Sequence, residues 1–357
     1  MALDFAKHLM QWYNTNKRHL PWRLTNDPYA VWVSEIILQQ TRVDQGMAYY
    51  QRFMKAWPNV SALAKASEDD VLKLWQGLGY YSRARNMHAT AKLIVQNFNG
   101  SFPSDYNTIK SLKGIGSYTA AAIASIAFGQ TFPAVDGNVQ RVLSRVFGVL
   151  EAVDGKTGKK QIDDLSWQHI DNEDPGNYNQ AVMEFGALQC LPANPQCGQC
   201  IFRESCYALL NGLTASLPRK QKKPTQKIRY FNYIWMRWQS GNQSWVALDK
   251  RLHNDIWKGL YEFPMIETEK PVHFDEITLL PAFQQLVQNN RFNIRAQSAP
   301  VTHQLTHQKI IAKFFHLNFE TPLDLMKENK LSLINQSEIG NYPISRLIDR
   351  YLQQNEF

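Results

Sequence analysis

The chain has 357 residues, a net charge of +8 and a pI near 9.2. With 44% hydrophobic and 12% aromatic residues it carries enough apolar mass for two packed domains, which excludes a disordered chain. The positive balance favours an anionic partner such as nucleic acid, and the lack of any run of 18 apolar residues excludes a transmembrane helix.

The opening, MALDFAKHLMQWYNTNKRHL, has no apolar core followed by a small-residue cleavage site. No secretory signal is expected, and the location implied is cytoplasmic. Residues 1 to about 189 read as helical, with apolar residues at helical spacing between Gly, Pro, Asn and Asp punctuation such as NDP (26–28), WPN (57–59) and EDPGN (173–177). Within VWVSEIILQQT (31–41), Glu35 sits among Val31, Trp32, Val33, Ile36, Ile37 and Leu38. A carboxylate buried there is costly unless it is paired or protonated.

SLKGIGSYTAAAIASIAFG (111–129) predicts a helix, a tight turn through Gly114 and Gly116, and an Ala-rich helix that a neighbour can approach closely. Such a helix–hairpin–helix turn presents backbone N–H groups to a phosphate, although a plain helical corner fits the same letters. In FPAVDGNVQRVLSRVFG (132–148), Asp136 follows Gly116 by 20 residues and precedes a new helix. It is a candidate for chemistry and equally for a helix N-cap.

Cys190, Cys197, Cys200 and Cys206 are the only cysteines, spaced Cys-x6-Cys-x2-Cys-x5-Cys. One short loop of four thiols suits a metal site better than a disulfide framework. Four-cysteine zinc sites normally use two tight Cys pairs and only one is tight here, so the spacing with its context favours an iron–sulfur cluster. Its expected role is to staple a basic loop that includes Arg203 against the helical domain.

PRKQKKPTQKIR (218–229) holds six basic residues and no acid, and reads as a linker or an exposed basic strap, either solvated or in contact with nucleic acid. Beyond it the composition turns to β-branched and aromatic residues, at 229–238, 244–250 and 309–319, with helices expected near 281–289 and 343–354. The predicted organisation is a helical domain (1–217), a basic linker (218–228) and an α+β domain (229–357).

Taken together, LPWR (20–23), WVSEIILQQTRV (32–43), GLGYYSRARN (77–86), GIGSYTAAAI (114–123), VDGNVQRVLSR (135–145), FGALQC (185–190) and the cysteine spacing resemble the endonuclease III superfamily of DNA glycosylases. The details resemble its adenine DNA glycosylase branch, across essentially the whole chain. The resemblance implies a mainly α catalytic region with an iron–sulfur loop holding one [4Fe-4S] cluster on the four cysteines. It also implies a Nudix-like C-terminal domain, marked by WKGLYEFP (257–264) but lacking the Nudix catalytic box.

In that branch the position of Glu35 is the general acid that protonates the extruded adenine, and the position of Asp136 stays ionised to stabilise the sugar cation. Tyr118 stands where the superfamily's lyases carry a Schiff-base lysine, so a monofunctional enzyme is implied. Tyr118 and Asn138 line the same site. A glycosylase must flip its base out of the stack. Gln40 and Tyr80 match the wedge that fills the gap, with Thr41 beside it, and Trp22, Arg23 and Gln180 match positions around the base. Gly114 and Gly116 would hold a phosphate. The branch reads 8-oxoguanine with a Phe-Ser-His loop; here HQLTHQK (303–309) supplies Leu305, Thr306 and His307, so the aromatic ring is missing.

The expected partner is double-stranded DNA with adenine opposite 8-oxoguanine or guanine, bound by a monomer. Two rivals are a bifunctional glycosylase–lyase for oxidised pyrimidines and a non-catalytic DNA-binding redox sensor. Tyr118 with the extra domain opposes the first, and Glu35 with Asp136 opposes the second.

Overall fold

A computed structural model describes residues 4–221, 226–288, 290–321 and 331–355. The first two-thirds are helical. The helices are α1 (Phe5–Asn16), α2 (Pro28–Leu38), α3 (Val43–Ala56), α4 (Val60–Lys65), α5 (Glu68–Trp75), α6 (Ser82–Phe98), α7 (Tyr106–Ser111), α8 (Ser117–Phe128), α9 (Gly137–Phe147), α10 (Lys156–His169), α11 (Pro175–Leu188) and a short α12 (Tyr207–Leu210). Local chemistry sets their ends. Asp27, Ser67, Asp105, Asp136 and Asp174 each accept a backbone N–H as N-caps of α2, α5, α7, α9 and α11. Gly129 and Gly148 close α8 and α9 in the left-handed region.

Two units emerge. One combines the residues up to Lys65 with those from Asn86 to the basic strap; the other combines Ala66–Arg85 with the residues after the strap. Ala66–Arg85 falls within the span 1–217 expected as the helical domain, yet it belongs to the C-terminal unit. In the first unit α9 and α11 pack together, and α1 and the cysteine loop lie on the same apolar core of Phe5, Leu9, Val142, Phe185 and Phe202.

The second unit is built on a mixed sheet of β1 (Lys227–Ser240), β2 (Gln243–Lys250), β3 (Tyr261–Glu262), β4 (Met265–Thr268), β5 (Phe292–Gln297), β6 (Val301–Gln304), β7 (Gln308–Phe319) and β8 (Ser332–Asn335). Its order is β3-β2-β1-β7-β5, with β4 on β1, β6 on β7 and β8 on β2. The parallel β1–β7 pair forms its centre. Helices α13 (Phe274–Thr278), α14 (Pro281–Val287) and α15 (Arg346–Gln354) accompany it. One core cluster joins Phe231, Tyr233, Trp235 and Phe314 to Leu347 and Tyr351 of α15; another joins Ile234 and Phe315 to Ile277 and Phe283 of α13 and α14. The strands and both later helices expected from composition are present within a few residues of their predicted spans.

The basic strap needs one correction. Arg229 is not exposed: it is buried on β1 and pairs with Asp255 at 2.8 Å and Glu267 at 2.6 Å. An arginine held by two carboxylates is already neutralised and is a structural anchor. Lys222, Lys223, Pro224 and Thr225 lie outside the described residues.

Candidate active site

Helix α2 is buried all round, and Glu35 is buried with it. Its carboxylate accepts the Tyr118 hydroxyl at 2.5 Å. Burial pushes the Glu35 carboxyl up to about 7; the hydrogen bond from Tyr118 pulls it back, the nearby Asp136 charge raises it, and Arg23 lowers it. An acid so placed keeps its proton near neutral pH.

Tyr118 is not a helix-surface aromatic. Its ring packs against the buried cluster of Ala121, Ala122 and Ala134, and its hydroxyl also lies 3.2 Å from the Met183 sulfur. Burial, with Glu35 and Asp136 adjacent, holds the phenol well above its ordinary pKa, so it stays a neutral donor.

Asp136 caps α9. One carboxylate oxygen accepts the N–H groups of Asn138 and Val139, each at 2.8 Å, and the other accepts the Asn138 side-chain amide at 2.7 Å. The residue keeps some exposed surface, but its carboxyl group is enclosed. Burial raises its pKa; the three hydrogen bonds and Arg141 oppose that, and the net direction is upward. The N-cap and helix N-terminus favour the ionised form that the sequence reading expected, while enclosure works against it. The N-cap and chemical readings of Asp136 thus describe one geometry.

A chain of hydrogen bonds continues from this carboxylate. Arg141 donates to the Asn138 side-chain oxygen and the Gly186 carbonyl, both at 2.7 Å, and to the Cys190 carbonyl at 2.8 Å. Buried Arg145 reaches the Cys190 sulfur at 3.5 Å and the Leu191 carbonyl at 2.6 Å.

One cavity of about 520 Å³ gathers Trp22, Arg23, Glu35, Gln40, Thr41, Tyr118, Asp136, Asn138 and Gln180 from helix and loop segments far apart in sequence. Trp22 is both core and wall: it is buried edge-on to Tyr50 and lines the cavity. The Tyr13 hydroxyl donates to Gln180 at 3.4 Å. Gln40 is exposed just past α2, with φ +55, a conformation few non-glycine residues adopt.

The sequence reading missed Glu184. It lines the cavity and is fully buried, yet it holds both Arg18 and Arg23. Burial alone would raise its pKa, but hydrogen bonds from Arg18 and Arg23 hold it down to about 2. Nothing in MEFGALQC distinguishes it from any helix acid.

Tyr80, Thr306 and His307 do not line this cavity. In the other unit they line a second one of about 450 Å³ with Trp257 and His303. Tyr80 is exposed at φ +48, and its hydroxyl lies 2.6 Å from the Thr306 hydroxyl.

The hairpin turn joins α7 to α8. Gly114 sits at φ +81, and a Cβ there would come within 2.6 Å of Asn86. Gly116 is extended, and a Cβ there would meet no protein atom. Only Gly114 is demanded by the turn; Gly116 leaves the N-terminus of α8 open for a ligand.

The four cysteines are free thiols, and those of Cys200 and Cys206 lie within electrostatic range of the others. Burial pushes the Cys200 thiol up to about 11. The Phe202 N–H donates to its sulfur at 3.4 Å, as backbone amides do to the Cys206 sulfur. Among the described residues no group of three or more His, Cys, Asp or Glu stands ready to hold one metal ion. Amide donors to sulfur suit an iron–sulfur cluster. An all-thiol donor set in a partly buried loop fits an iron–sulfur group.

Residues 33–169 match the model of the HhH-GPD superfamily of base excision DNA repair proteins, and residues 233–354 match the NUDIX domain. An adenine DNA glycosylase of Buchnera aphidicola subsp. Schizaphis graminum is 36% identical over 270 residues, covering 74% of this chain and 76% of its own. The chain belongs to the adenine DNA glycosylase family. A human family member is 44% identical over 213 residues, covering 57% of this chain and 39% of its own. Among solved structures, a thermostable thymine-DNA glycosylase superposes with a TM-score of 0.54 at 27% identity, over 58% of this chain and 95% of that one. An endonuclease III–DNA complex, at 20% identity and a TM-score of 0.51 over 58% of this chain and 94% of that one, shares the helical fold. No described helix is long and apolar enough to cross a membrane.

Proposed function

We propose that this family member removes adenine from double-stranded DNA where it is paired with 8-oxoguanine or guanine, by hydrolysis of the N-glycosidic bond, leaving an abasic site. The observation that carries the reading is Glu35: a buried carboxylic acid with its pKa near 7, held by Tyr118 in the same cavity as Asp136. Glu35 donates its proton to a ring nitrogen of the extruded base, so the base leaves neutral. Asp136 offers negative charge to the oxocarbenium-like sugar, and the Glu35 carboxylate then takes a proton from the attacking water. Tyr118 supplies no amine, so the reaction stops at the abasic site without strand cleavage.

Trp22 offers an aromatic wall to the base, and the Arg23–Glu184 pair at the cavity edge offers a donor and an acceptor to its polar rim. Gln40 and Tyr80 act as wedges. The α8 N-terminus at Gly116 receives a phosphate. Thr306 and His307 read the base opposite. Cys190, Cys197, Cys200 and Cys206 hold one [4Fe-4S] cluster, which supplies a structural tie for the loop. The protein acts as a monomer in the cytoplasm, on nucleoid DNA.

The test is single-turnover cleavage of a duplex with adenine opposite 8-oxoguanine, with and without alkali. Strand breaks only after alkali, and a loss of about 100- to 10,000-fold in Glu35→Gln with duplex binding kept, are expected. Breaks without alkali would show a lyase. Wild-type binding without base loss would return the protein to a damage sensor.

A further inference from the structure

Ala66–Arg85 is far from the C-terminal domain in sequence but packs with it. The seat is the loop from Arg251 to Leu260, the strands on either side, and the Tyr342–Ile344 stretch that leads into α15. Asp69 accepts Lys250 Nζ at 2.6 Å on one oxygen and the Tyr261 hydroxyl at 2.9 Å on the other, and the ammonium lies over the Tyr261 ring at 5.1 Å. Lys73 Nζ donates to the Tyr342 carbonyl at 3.2 Å, and Tyr81 to the Ile344 carbonyl at 3.4 Å. The Arg85 guanidinium donates to the Lys258 carbonyl. Gly259, at φ +84, lets the loop approach: a Cβ there would come within 3.1 Å of Leu72. At the end of the segment stands Tyr80, in a backbone conformation that persists only when its surroundings hold it, 2.6 Å from the Thr306 hydroxyl.

We propose that residues 66–85 work as part of the C-terminal reading unit, seated on its 251–261 segment so that Tyr80 and Thr306 are positioned as one piece, and that Asp69 is thereby a positioning residue for preference between partner bases. This rests on the reading of Thr306 given above. Asp69 touches no DNA in this scheme. It acts by fixing where the wedge stands relative to the reader, so its loss weakens the response to 8-oxoguanine more than the response to guanine.

The experiment measures single-turnover adenine excision opposite 8-oxoguanine and opposite guanine. It compares wild type, Asp69→Ala, Tyr261→Phe and the charge exchange Asp69→Lys with Lys250→Asp. In Asp69→Ala the ratio of the two rates is expected to fall about threefold, the scale of one partly exposed ion pair. Tyr261→Phe gives a smaller fall in the same direction, and the charge exchange recovers part of the ratio; a general loss of stability would lower both rates together and leave the ratio unchanged. An unchanged ratio in both Asp69→Ala and Tyr261→Phe, or equal losses on both duplexes, overturns the proposal. A wild type that excises adenine with no preference overturns the reading of Thr306 itself, and a wild type that excises none overturns the activity reading.

Discussion

Glu35 and Glu184 line one cavity and answer opposite needs. Glu35 has its proton held on by burial, and its one hydrogen bond only moderates that. Glu184 has its proton driven off by two arginines despite burial. The signs follow. Excision that needs protonated Glu35 falls as pH rises through about 7. In Tyr118→Phe the hydrogen bond favouring the charged carboxylate is gone, so this falling limb should move to higher pH; a pH–rate profile in which it stays or moves lower would refute the assignment. For stability, Glu184 contributes fully above its ordinary value of 4.5, and that contribution is lost as pH falls through about 2. Glu35 does the reverse, drawing stability away as pH rises from 4.5 through about 7. Glu184→Gln leaves Arg18 and Arg23 without their charge partner and should cost about 2–3 kcal/mol, read from denaturant unfolding, with adenine excision lost alongside.

At the scale of elements, the α7–α8 hairpin separates folding from binding in two neighbouring glycines. Gly114→Ala forces a Cβ into Asn86 from a left-handed backbone and should cost about 1–3 kcal/mol. Gly116→Ala has an ordinary backbone and empty space around it, so its stability should stay within about 0.5 kcal/mol of wild type. Its DNA affinity should nonetheless drop, because the new methyl would occupy the approach to the α8 N-terminus. Equal affinity for Gly116→Ala and wild type in a binding titration would remove the phosphate from this turn. The helix patterns of this region were legible because a 3.6-residue apolar period and an acidic or hydroxyl cap are local properties. The difference between Gly114 and Gly116 was not, since Gly-x-Gly spells both and only the folded backbone and the position of Asn86 tell them apart.

For the whole molecule, the cysteine loop packs on the core shared by α1, α9 and α11, with Phe202 and Cys206 both inside it. On the proposed assignment of an iron–sulfur cluster to this loop, Cys200→Ala should give protein without the cluster's broad visible absorbance and with a lower melting temperature. Full visible absorbance in that variant would free Cys200 from the ligand set. The amino-acid sequence by itself determined the helical and strand-rich halves, the hairpin, the cysteine spacing, Glu35 as a carboxylate out of place and Asp136 as a cap or a candidate for chemistry, because composition, period and spacing are properties of short stretches. Only the tertiary structure decided which residues meet. It buried Arg229 against Asp255 and Glu267, set Glu184 under two arginines, strained Gln40 and Tyr80 into the left-handed region, and gave residues 66–85 to the C-terminal unit. Contacts between residues tens to hundreds of positions apart are fixed by how the apolar faces pack, and no local pattern encodes that choice.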